Sequence, residues 1–118
     1  MAFKFEDLKI WQESVKFAGE VYKLTKKYPK AEQFGLVGQL NRAAVSLSLN
    51  IAEGVGRNSD VELARYLQIA IGSLNEAVTI LHISLEQKYI DKSEFDSFYI
   101  RCEELSKMLH GFKKYLKS

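Results

Sequence analysis

The most constraining feature of the sequence is residues 31–57, a segment poor in charge that carries polar residues at helical spacing. At about 100° per residue, these polar side chains form one stripe about 80° wide. The stripe consists of Gln39, Arg42, Ser46, Asn50 and Glu53. Apolar residues flank it on both sides, so we expect a helix that is buried on most of its circumference.

The polar stripe has two interpretations, a ligand or catalytic site and a structural hydrogen-bond network. Ser46 has no histidine near it in the sequence and no glycine-flanked nucleophile elbow around it. Buried polar groups normally satisfy one another, and an unpaired buried charge is costly. We therefore favour a structural network in which Glu76, on the third predicted helix, is the partner of Arg42. We predict no catalytic residue and no enzyme; catalysis through Arg42, Ser46 and Glu53 is the more distant alternative.

Size and composition are those of a single domain. The 118 residues are 47% hydrophobic and 27% charged, which is enough for one compact unit with its own core. No apolar run approaches the ~20 residues of a membrane span, and the N-terminus does not resemble a signal peptide. The single cysteine fits a reducing compartment. We expect one domain over residues 1–118, located in the cytoplasm and without a membrane partner.

Apolar residues recur at steps of three and four through four segments, and no alternating strand pattern occurs. The predicted helices run from about Asp7 to Lys27, from Ala31 to Gly54, from Ser59 to about Lys88, and from Asp91 onward. Short connections make consecutive helices antiparallel. The sequence therefore predicts an all-α fold, an antiparallel up-down-up-down four-helix bundle.

The predicted helix ends carry recognisable capping residues. Gly54 is expected to be a left-handed C-terminal cap of the second helix. Ser59 and Asp91 are expected to cap the third and fourth helices, each with a glutamate three residues on, at Glu62 and Glu94. The glycine-containing turn before Ser59 could instead bind phosphate, but it lacks the lysine and the spacing of a P-loop. We favour a turn with helix caps.

The width of the apolar faces differs among the four helices. The first and third helices have apolar arcs of about 200°, and the second is apolar on both sides of its stripe, whereas the fourth has an arc of about 100°. Packing into the core of a monomer requires only one apolar contact face on each helix, so the wider arcs leave apolar surface to spare. We expect a homo-oligomer whose interface comes from helices 1–3. The alternative is irregular packing with tolerated apolar residues on the surface.

A metal site is not expected. His82 and Glu86 lie four residues apart on one predicted helix, but two ligands are too few. Cys102 falls in the core stripe of the fourth helix, where a free cysteine acts as a small hydrophobic residue. We predict a solvated His82–Glu86 pair and a buried thiol.

The lysines are the one feature of the sequence that indicates a binding function. Lys9, Lys16, Lys23 and Lys27 line the polar face of the first helix. An oligomer would repeat this face, and contacts with phosphates add through counterion release. The alternative is a solvated face neutralised by interleaved glutamates at i,i+3 spacing, which are Glu6, Glu13 and Glu20. The net charge of +2 is smaller than that of a dedicated nucleic-acid binder.

Several segments together resemble one family, the four-helix-bundle proteins encoded by intervening sequences inside bacterial 23S rRNA genes. The segments are residues 5–25, Glu32, Gly35-Leu36, Gln39-Leu40, Arg42-Ala43-Ala44-Val45-Ser46, Asn50-Ile51-Ala52-Glu53-Gly54, Gly56-Arg57, Ile69-Ala70 and Gly72-Ser73-Leu74 with Glu76. The resemblance implies a small bundle that assembles as a homopentameric ring. It extends to the accessory variability proteins of diversity-generating retroelements, which partner a reverse transcriptase and bind nucleic acid.

The resemblance also implies that there is no established enzymatic activity and no cofactor. From it and the lysine face we expect a non-enzymatic oligomer that binds RNA or DNA, or a nucleic-acid-processing protein. This chain is less basic than the retroelement relatives. The alternative is therefore a structural or protein-interaction module with no nucleic-acid binding.

Overall fold

Four α-helices make up most of residues 1–116, the part of the chain that the computed structural model describes. They are α1 (Lys9–Thr25), α2 (Leu36–Val55), α3 (Asp60–Glu86) and α4 (Lys92–Tyr115). Short 3₁₀ turns at Lys4–Asp7 and Lys30–Glu32 precede α1 and α2. No strand occurs within these described residues. The predicted all-α fold with four helices is confirmed.

Each helix packs against two neighbours around a shared core. α1 lies between α2 and α4, and α3 contacts the same two helices from the opposite side. Residues that meet across α2 and α3 run in opposite order, since Ser46 contacts Ser73 whereas Gly54 lies against Leu63. This is the order that the predicted up-down-up-down connectivity requires. The largest fully buried side chains include Phe17, Leu40, Leu47, Leu67, Leu74 and Leu105.

The helix starts differ from prediction where a 3₁₀ turn comes first. α1 begins at Lys9 rather than near Asp7, because the preceding turn sets Phe5 against Trp11 with ring centroids 5.1 Å apart. α2 begins at Leu36 rather than Ala31, because Gly35 has non-helical dihedrals, φ −110° and ψ −107°. The hydrophobic pattern continues through both turns, so it could not mark these boundaries.

Both predicted N-terminal caps are present. The Asp91 carboxylate accepts from the Glu94 N–H at 2.8 Å, and the Glu94 carboxylate accepts from the Asp91 N–H at 2.9 Å, which is a complete capping box. Ser59 caps α3 by accepting from the Glu62 N–H. The reciprocal bond is not made there, because the Glu62 carboxylate pairs with Arg65 at 3.0 Å instead.

Gly54 does not have the role that the sequence predicted. It is buried within α2 and has no left-handed conformation; the left-handed residue of the turn is Asn58, with φ 56°. A Cβ at Gly54 would lie 2.8 Å from Leu63 Cδ1 and 2.9 Å from Tyr66 Cβ. Glycine is needed at this position because α3 approaches the α2 backbone too closely for any side chain.

We predict that Gly54→Ala destabilises the protein by about 1–3 kcal/mol, the range for overpacking a closely packed contact. Chemical denaturation would measure the change. Gly19→Ala is the matched control, since Gly19 is helical and a Cβ there meets nothing within 4 Å. That variant is expected to gain up to about 1 kcal/mol from helix propensity. Equal effects of the two substitutions would contradict the close-approach explanation.

Candidate functional site

The predicted polar stripe of α2 lies along the seam between α2 and α3. Ser46 and Asn50 are half-buried in the seam, whereas Gln39, Arg42 and Glu53 are exposed. The expectation that α2 is buried on most of its circumference is confirmed, because only Gln39, Arg42, Leu49 and Glu53 of α2 are exposed. These exposed residues share one side of the helix, which neither α1 nor α3 covers.

A hydrogen-bond network forms in the buried part of the stripe. The Ser46 and Ser73 hydroxyl oxygens are 2.8 Å apart, and the Asn50 side-chain amide donates to both the hydroxyl and the carbonyl oxygen of Ser46 at 2.8 Å. These bonds join α2 to α3 across their contact. Ser73 was not predicted as a member, because only the packing of the two helices brings it opposite Ser46.

The charged members of the predicted network lie outside these bonds. Glu53 pairs with Arg57 at 3.0 Å, one turn further along the chain. Arg42 and Glu76 line opposite walls of an open groove of about 570 Å³ between α2 and α3, together with Gln39. No ion pair joins Arg42 to Glu76 within residues 1–116. The rest of the groove is lined by the apolar side chains of Leu36, Ala43, Ile80 and Ile83 and by Gly72, Asn75 and Thr79.

The lysines of α1 form a row along the exposed side of the helix. Lys9, Lys16 and Lys23 are all exposed, and their spacing of seven residues places successive side chains about 10 Å apart on one face. Of the interleaved pairs considered from the sequence, only Glu13–Lys16 forms, at 3.5 Å. Lys27 lies in the turn after α1 and is not available in the same way, because its ammonium binds the Glu94 carboxylate of α4 at 2.6 Å.

Arg101 of α4 explains why the lysine row is less neutralised than the sequence indicated. Its guanidinium pairs with Glu13 at 3.0 Å and with Glu20 at 3.1 Å, so it engages two of the three glutamates that alternate with the lysines. The hydrogen bond from Arg101 is the main reason that the pKa of Glu13 is lowered. Sequence reasoning missed this residue, because the contact joins positions 81 and 88 residues apart.

The remaining candidate residues are structural. His82 packs against Phe95 and Tyr99, with ring centroids 4.8 and 6.2 Å away. No group of three or more His, Cys, Asp or Glu residues within the described chain could hold a metal ion. Cys102 is buried in the core as predicted, and burial raises the pKa of its thiol to about 12. Among the described helices, none combines the length and the apolar character that crossing a membrane requires.

Exposed apolar side chains are not confined to α1–α3. Leu49 of α2 and both Ile69 and Ile83 of α3 are exposed, but so is Ile100 of α4. The difference in arc width between the fourth helix and the others is thus less sharp on the folded surface than on the ideal wheel, because α4 also turns apolar residues outward.

We predict that Arg101→Gln lowers the free energy of unfolding by about 1 kcal/mol at neutral pH, mainly through the loss of its two partly exposed ion pairs with α1, since the third pair, with Glu104, is longer at 3.8 Å. Glu13 has a lowered folded-state pKa, so its contribution is present above its unfolded pKa and is lost as the pH falls through the folded value. The difference between wild type and variant should therefore shrink in acid. Arg65→Gln, which removes an exposed ion pair within α3, is the control. A difference in unfolding free energy between wild type and Arg101→Gln that stays constant down to strongly acidic pH would contradict the role assigned to the Arg101–Glu13 pair.

Comparison with known proteins agrees with the fold and identifies the family. A crystal structure of a protein of unknown function, from the S23 ribosomal protein family of Bacteroides thetaiotaomicron VPI-5482, superposes with a TM-score of 0.82. The two sequences are 24% identical, and the match covers 89% of this chain and 95% of the other, which shows a common fold. No curated protein matches the chain significantly. The profile of the 23S rRNA-intervening sequence protein family matches residues 6–111, and the chain therefore belongs to this family.

Proposed function

We propose that the protein is a non-enzymatic homo-oligomer that binds RNA or DNA through the lysine row of α1, repeated once in each copy. The observation that carries the proposal is the row itself, with Lys9, Lys16 and Lys23 exposed on one face. The family to which the chain belongs is named for its place in 23S rRNA genes. The pentameric ring that the family resemblance implies would bring several such rows together.

The proposed binding depends on several copies of the lysine row acting together. Each lysine that meets a phosphate releases close to one counterion, and these contributions add. Three lysines on one chain with a net charge of +2 give weak binding. A ring that presents the same row several times multiplies the number of simultaneous contacts, and the affinity rises accordingly.

The absence of catalysis is part of the same proposal. Ser46 is bonded to Ser73 and Asn50, so no neighbour in the network can act as its general base. Arg42 and Glu53 of the distant catalytic alternative are both exposed, and the Ser46 hydroxyl bonds to Ser73 and Asn50 instead of to either of them within the described residues. This arrangement supports a structural role for the network.

The alternative function is a protein-interaction module without nucleic-acid binding. It is favoured by the carboxylates that remain beside the lysines, since Lys16 is paired with Glu13 and Lys27 with Glu94. These pairs would have to be exchanged for phosphate contacts. Retention of nucleic acid by purified protein distinguishes the two functions.

We predict that the double variant Lys16→Glu/Lys23→Glu loses nucleic-acid binding while the oligomeric mass is unchanged. Fluorescence anisotropy with a labelled RNA and a labelled DNA duplex, repeated over a range of salt concentrations, would measure it. For single replacements by glutamine, the salt dependence should fall by about one counterion for each lysine that contacts a phosphate.

The control is Lys88→Glu/Lys107→Glu, which makes the same change in net charge with exposed lysines outside the row. Equal loss of binding in both double variants would mean that only net charge matters and would contradict the assignment to α1. Wild-type protein that binds neither probe at low salt would contradict nucleic-acid binding and favour the interaction module.

A further inference from the structure

The outer surface of α2 and α3 carries exposed apolar side chains together with charges that have no ion-pair partner in the described part of a single chain. We call this surface the α2/α3 face; it consists of the groove between the helices and the exposed residues that flank it, Leu49, Ile69 and Ile83. Their side chains are 62%, 43% and 41% exposed. At about 100° per residue, Leu49 lies beside Arg42 on α2, and both isoleucines lie beside Glu76 on α3. The face is therefore apolar with isolated charges.

The charges on this face divide into satisfied and unsatisfied groups. Glu53 is paired with Arg57, and Glu62 is paired with Arg65, each within one turn of helix. Arg42 and Glu76 have no such partner within the part of the chain that the structure describes, although both line the groove. One unpaired cation and one unpaired anion thus lie on opposite walls of the same groove.

We infer that the α2/α3 face docks against a second copy of this chain, with Arg42 of one copy pairing with Glu76 of the other. A second copy supplies both missing partners, because it carries the same two charges, and it also covers the flanking leucine and isoleucines. The inference rests on the proposed homo-oligomer and names the surface and the ion pair that would form it.

Other occupants fit the face less well. A nucleic acid would meet Glu76 and the Glu53 and Glu62 carboxylates, and the apolar flanks would gain nothing from its phosphates. A strongly charged protein partner would satisfy only one of the two unpaired groups. Self-association satisfies both: in a two-fold pair the same neighbour supplies both partners, whereas in a ring one neighbour pairs with Arg42 and the other neighbour pairs with Glu76.

The test uses charge reversal and mixing. Arg42→Glu and Glu76→Arg each place like charges opposite one another in the interface, so each variant alone should have the monomer mass of 13.5 kDa by light scattering. An equimolar mixture should form larger species containing both chains, because the carboxylate introduced by Arg42→Glu in one chain then meets the guanidinium introduced by Glu76→Arg in the other. The double variant Arg42→Glu/Glu76→Arg should also assemble.

Mixing separates this inference from an ion pair within one chain. Each single variant carries two like charges in its own groove, so an intrachain pair cannot be restored by adding the other variant. Both residues are exposed, and the variants are therefore expected to keep the helical content and thermal midpoint of the wild type. Glu103→Lys and Lys107→Glu, which reverse exposed charges on α4, are the controls and should assemble normally.

The outcomes also separate this inference from the proposed function. A wild-type protein that is monomeric would overturn the proposed oligomer and the inference together. A wild-type oligomer whose mass is unchanged in both single variants would leave the oligomer standing and overturn only the α2/α3 interface. Disassembly of both single variants without recovery on mixing would overturn the Arg42–Glu76 pairing.

Discussion

The contact between α2 and α3 is the constraint on which the rest of the structure depends. Gly54 lets the two backbones approach at one end, and the Ser46–Ser73–Asn50 hydrogen bonds join them near the middle. A close approach needs small residues, and small polar residues at the seam must bond to one another once water is excluded. The same few positions therefore determine both the distance between the helices and their register.

On the opposite side of the bundle, ion pairs join the helices in addition to apolar contacts such as that between Phe17 and Phe98. Arg101 of α4 binds Glu13 and Glu20 of α1, and Lys27, just after α1, binds Glu94 in the first turn of α4. Each exposed ion pair contributes little to stability. Their consequence for function is larger, because Arg101 engages the glutamates that would otherwise neutralise the lysine row. A contact between helices thereby changes the electrostatic character of the surface next to it.

Sequence periodicity was sufficient to predict the four helices and the burial of Cys102, and the capping residues were sufficient to predict the caps at Ser59 and Asp91. It was not sufficient for Gly54, because a helical wheel contains no information on the distance to the neighbouring helix. Nor could it identify Arg101 or Ser73, since their partners lie on other helices and depend on packing register. It also could not show that Arg42 is exposed in the single chain, because the wheel shows a stripe but not how α3 covers it.

The contact with α3 divides the polar stripe of α2 into two chemically different parts. Ser46 and Asn50 lie on the side that α3 covers, and their polar atoms find partners within the bundle. Arg42 is about 40° further round the helix than Ser46, which is enough to place its guanidinium outside the seam. Arg42 lines the groove between α2 and α3 and makes no ion pair within residues 1–116. The polar atoms of Ser46 and Asn50 are therefore satisfied inside the bundle, whereas the charge of Arg42 is left on the surface, where the proposed second copy would supply its partner.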